Sequence, residues 1–67
     1  MKLELDFALQ VIRESSGNYY AGAIGMIHAI MRSEYSPFTK VRNVMTVLAA
    51  LETVLAEGSE GPNDDPR

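Results

Sequence analysis

The dipeptide Ser36-Pro37, and the run from there to Gly58, constrain this chain more than any other segment. A Ser at the N-cap accepts a backbone N–H of the first turn, and Pro at the first helical position gives up a donor that would be unpaired there anyway. A helix therefore starts at this point. Val41, Val44, Leu48, Leu51 and Leu55 carry it forward at three- and four-residue steps, and Gly58 is placed to end it. The expected helix has roughly 20 residues and is about 30 Å long. On a wheel, Phe38, Val41, Val44, Met45, Val47, Leu48, Ala49, Leu51, Val54, Leu55 and Ala56 fill an arc of about 220°, where a helix resting on one core needs only about 100°. The polar strip, from Thr39, Arg42, Asn43, Thr46, Thr53 and Glu57, is correspondingly narrow. Such a helix is expected to be covered on two sides.

One half of the arc, Val44, Val47, Leu48, Leu51, Val54 and Leu55, is long and branched and reads as the core side. The other half, Phe38, Val41, Met45, Ala49 and Ala56, is then left for a partner. With 67 residues there is room for one small domain, and at that size only about 60% of the unfolded surface is buried on folding. Self-association through the third helix is the economical way to cover the remaining half. Glu52 falls inside the apolar arc. It reads as a solvated edge between two patches, or else as a charge that pairs with Arg13, Arg32 or His28 and fixes register in an interface. The seam at 41, 44, 48, 51 and 55 has coiled-coil spacing over only two heptads, too short to specify a coiled coil.

Upstream, Leu5, Ala8, Leu9 and Ile12 recur at helical spacing, widened by Phe7 and Val11, with Asp6 placed to serve as N-cap. Ser15, Ser16, Gly17 and Asn18 read as a turn, with Asn18 capping a second helix that carries Tyr20, Ile24, Ile27, His28, Ile30 and Met31. The expected fold is all-α, a three-helix domain with helices over about 6–15, 18–33 and 36–57, assembled as a dimeric helical bundle. Residues 1–57 form that single domain, and 58–67, which lack apolar side chains, read as a disordered acidic tail. Leu3, Leu5 and Phe7 alternate with Lys2, Glu4 and Asp6, so a short strand competes with the start of the first helix.

In the second helix, Ala21, Gly25 and Ala29 make a small-xxx-small face that allows close approach of another backbone, either within the chain or across a dimer groove. Two interior glycines, Gly22 and Gly25, cost about 1 kcal/mol each relative to Ala, so some close contact is expected to compensate. His28 is the single histidine and reads as partly buried and structural, because no His pair or cysteine joins it for metal binding. Neither a nucleophile elbow nor a phosphate-binding glycine loop accompanies it, and the sequence points to no cofactor and no enzyme.

The net charge of −3 argues against a general nucleic-acid binder, yet residues 28–46 carry Arg32, Lys40 and Arg42 against Glu34, a net of +2. A small DNA-binding regulator using Arg32, Lys40, Arg42 and Asn43 around the second turn is therefore the alternative reading. A helix-turn-helix would present few polar side chains there, and a ribbon formed by residues 2–7 would turn Glu4 and Asp6 toward phosphates. Tyr35 and Phe38 flank the same turn; the simplest reading has Tyr35 stapling the chain and Phe38 capping the core. The acidic residues among the first apolar ones do not form an export signal, and no apolar run reaches the roughly 20 residues of a membrane span. The functional expectation is a cytoplasmic, non-enzymatic protein–protein interaction module, regulatory or adaptor in role. It would act as a homodimer, or with a second protein, through Phe38, Val41, Met45, Ala49 and Glu52.

Overall fold

The computed structural model describes residues 2–15 and 18–58, and within them the chain forms α1 (Leu5–Arg13), α2 (Tyr19–Met31) and α3 (Pro37–Gly58). The fold is all-α, as the spacing of apolar residues predicts. The turn residues Ser16 and Gly17 and the acidic segment 59–67 lie outside the described residues.

The start of α3 is built as its sequence demands. Thr39 N–H donates to Ser36 Oγ at 3.2 Å, and Lys40 N–H donates to the Ser36 carbonyl at 2.9 Å. Asn18 caps α2 in the same manner, its Oδ1 accepting from Ala21 N–H at 3.0 Å. The start of α1 departs from expectation. Its N-cap is Glu4, in extended backbone and without a side-chain cap, while Asp6 lies inside the first turn, where its charge still favours the positive end of the helix dipole. The alternation at Leu3, Leu5 and Phe7 forms no strand, and helical hydrogen bonding takes over from Leu5.

Two long-range contacts fix direction. Leu3 N–H donates to Asn43 Oδ1 at 3.0 Å near the beginning of α3, and Arg13 meets Glu57 near its end, so α1 and α3 run parallel. Lys40 Nζ donates to the Met31 carbonyl at 3.1 Å, placing the end of α2 beside the start of α3, so α2 runs the opposite way. The long third helix is thus the spine on which both shorter helices rest.

Between them lies a small core of Ala8, Ile12, Ala23, Ile30, Val47, Ala50 and Val54, in which Ile12 and Val47 are the largest fully buried side chains. Leu9, Met26, Ile27, Val44 and Leu51 pack around it. Three of the seven core residues are alanines, which let helices approach closely but bring little apolar area with them. Gly22 serves the same end. A Cβ built there would lie 2.9 Å from Ser15 Cβ and closer still to its Oγ, so the absence of a side chain at position 22 leaves room for the Ser15 side chain just beyond α1.

Candidate functional site

The side of α3 turned away from the core carries the most exposed apolar surface. Phe38 is 70% exposed, Met45 63%, Val41 58% and Leu48 45%, with Ala49 and Glu52 exposed on the same side. Their positions, 38, 41, 45, 48 and 52, alternate three and four residues, which keeps them in one row along a helix. Of the five sequence-predicted partner residues, Phe38, Val41 and Met45 lie on this row with Glu52 at its far end, and the exposed Ala49 lies beside it.

Leu48 and Ala50 have places other than the sequence suggested. Leu48 joins the outer row, because it lies about 100° around the helix from the buried Val47. Ala50, not singled out from the sequence, is fully buried instead. Phe38 does not cap the core; its ring is out in the open with the Arg42 guanidinium 5.6 Å from its centroid, in cation–π range. Arg42 thus belongs to the near end of the apolar row and Glu52 to the far end. Glu52 is exposed and in no ion pair among the described residues.

Beside the row, Met31 of α2 and Pro37, Lys40, Val41, Val44 and Met45 of α3 line a cleft of ≈ 430 Å³. Met31, 54% exposed, extends the apolar surface from α3 onto the last turn of α2. Its sequence signal was its position just before the turn to Ser36-Pro37. On α2 itself, Tyr20 and Ile24 are exposed, and the small residues Ala21, Gly25 and Ala29 line an open groove with His28 and Arg32. Nothing lies within 4 Å of a Cβ built at Gly25, so among the described residues no other segment approaches closely at that position. His28 is exposed, in place of the partly buried setting expected, because it shares the outer side of α2 with Ile24 while Ala23 and Ile30 hold the inner side.

The basic centre is dispersed among structural tasks. Asn43, expected at the basic surface, is only 3% exposed and accepts from Leu3 N–H; the need to satisfy an N–H of the incoming N-terminal segment takes it inward. The Lys40 ammonium closes the end of α2, and Arg42 lies over Phe38. Arg32 is exposed, its backbone N–H donating to His28 O at 3.0 Å. Tyr35 is half-buried and lines a small cavity with Leu3, Ala29, Ile30, Ser33 and Asn43.

The one ion pair among the described residues ties α1 to α3. Arg13 Nε donates to Glu57 Oε1 at 3.1 Å, with Nη2 on Oε2, a two-pronged contact. This hydrogen bonding lowers the Glu57 pKa and raises that of Arg13. Among the described residues there is no cluster of three His, Cys, Asp or Glu side chains suited to a metal, and no helix is long and apolar enough to cross a membrane. No family model matches this chain, and neither a curated protein nor a solved structure is similar to it.

Proposed function

We propose that the protein is a non-enzymatic helical interaction module of the cytoplasm that acts as a homodimer through the outer face of α3, in a regulatory or adaptor role. The observation that carries this reading is the unbroken exposed row of Phe38, Val41, Met45 and Leu48 on the longest helix. Scattered apolar side chains are ordinary on protein surfaces, whereas a contiguous row at interface spacing is the mark of a docking face. The slightness of the core supports the same reading. A domain whose seven core residues include three alanines gains stability from any apolar area that a second copy removes from water. The DNA-binding alternative has less to draw on, because Asn43 is buried and the Lys40 ammonium is already bonded to the Met31 carbonyl.

The test is to measure the mass of Val41→Glu and Met45→Glu variants in solution against the unaltered chain, with helicity as a control for folding. The expected result is a helical monomer from each variant and a dimer from the parent. If both variants keep the parent's association state, the face does not function as proposed; salt-sensitive retention on DNA, lost in Lys40→Glu and Arg42→Glu, would support the alternative.

A further inference from the structure

The two ends of the exposed row on α3 differ in charge, and we propose that this difference makes the dimer antiparallel, with Met45 on the two-fold axis and Glu52 of each copy meeting Arg42 of the other. The inference rests on the homodimer reading above and specifies the geometry of that same face. Phe38 and Glu52 are 14 positions apart, about 21 Å along the helix, and Met45 is the midpoint. When two copies run in opposite directions about Met45, residue 38 faces 52, 41 faces 49, and 45 faces itself. Val41 then meets Ala49, a large residue against a small one, which is how close-packed helices interdigitate.

Charge decides between this arrangement and its parallel counterpart. The Arg42 guanidinium lies over the Phe38 ring one turn away, 5.6 Å from the centroid, so a carboxylate arriving opposite Phe38 meets a guanidinium nearby. Glu52 of an antiparallel copy brings that carboxylate, and the two-fold axis makes the pair occur twice. A parallel pairing in register would instead set Glu52 against Glu52 and Arg42 against Arg42, which like-charge repulsion disfavours. Glu52, out of place in an apolar arc when read from the sequence, becomes the residue that sets direction.

The chain has no cysteine, so single cysteines report proximity without interference. Val41→Cys and Ala49→Cys, both at exposed positions, are made separately, mixed, and oxidised gently. In the antiparallel dimer like positions are about 12 Å apart along the axis, beyond disulfide reach, whereas 41 and 49 face one another. The expected product is the mixed disulfide, identified by mass, with little of either symmetric one. Charge swapping is the second measurement. Glu52→Arg and Arg42→Glu are each expected to weaken the dimer by about three- to tenfold, and the combined variant to recover most of the loss. A symmetric Val41→Cys disulfide, or failure of the combined variant to recover, overturns the antiparallel arrangement while leaving the homodimer standing. A dimer that yields none of these disulfides overturns the use of this face, and a monomeric parent chain overturns both proposals.

Discussion

The inner and outer faces of α3 are made of similar residues and do opposite things. Val47 and Val54 on the inner side are almost wholly buried, whereas Val41 on the outer side is 58% exposed although it is the same residue type on the same helix. The difference comes from the partners that α1 and α2 bring. Both short helices pack on the inner side of the long one, with Met31 at the end of α2 reaching the edge of the outer row. Apolarity in a sequence therefore marks the surfaces that must be covered, while the number and length of the other elements decide which are covered within the chain.

The largest expected effect comes from placing one charge on each face. Val47→Asp puts a carboxylate among Ile12, Ala23 and Ala50, without a cation to pair with, and is expected to abolish the folded state, read as loss of helical circular dichroism. Met45→Asp is expected to leave folding intact at matched monomer concentration and to remove only association. Equal loss of helicity from the two would erase the distinction between the faces.

Asn43 offers the next test, since it is the polar member of the inner face. Asn43→Ala leaves the Leu3 N–H without its acceptor and is expected to cost about 1–3 kcal/mol in denaturant unfolding. The two glycines of α2 give a parallel contrast with smaller effects. Gly22→Ala forces a methyl group onto Ser15, an overpacking cost that exceeds the helix-propensity gain and leaves a net loss of roughly 1 kcal/mol. Gly25→Ala meets open space and is expected to stabilise the fold by up to about 1 kcal/mol. The smallest effect belongs to the Arg13–Glu57 pair, exposed on the surface. Because Glu57 has its pKa lowered in the folded chain, its contribution is present above the ordinary carboxylate value of 4.5 and fades as pH falls through the lowered folded value. Glu57→Gln is expected to flatten that part of the acid unfolding curve.

Features governed by neighbours along the chain are legible in the residues themselves. Ser36-Pro37 and Asn18 announce helix starts because a cap is made with residues two or three positions away, and the observed bonds are those. The outer row is legible for a related reason: its residues are joined by helical spacing alone, and Phe38, Val41, Met45 and Ala49 are exposed as expected. Features that depend on distant partners are not legible in this way. Asn43 has the look of a contact residue because its acceptor role is set by Leu3, 40 positions earlier. Leu48 and Ala50 exchange sides because a wheel orders residues by angle but does not say how far around α1 and α2 reach. Alanine size favours Ala50 at a close crossing, whereas branching draws the inward assignment to Leu48. Gly22 and Gly25 show the same limit, one crowded by the Ser15 side chain and the other open, with nothing in their local sequence to tell them apart.

The most direct measurement is the absolute mass of the full chain by light scattering over a concentration series. A mass that rises from 7.4 kDa to twice that value, and returns to 7.4 kDa at all concentrations in Met45→Glu, is the result expected if the outer face of α3 is an interface. A parent chain that remains at 7.4 kDa throughout the series would contradict it.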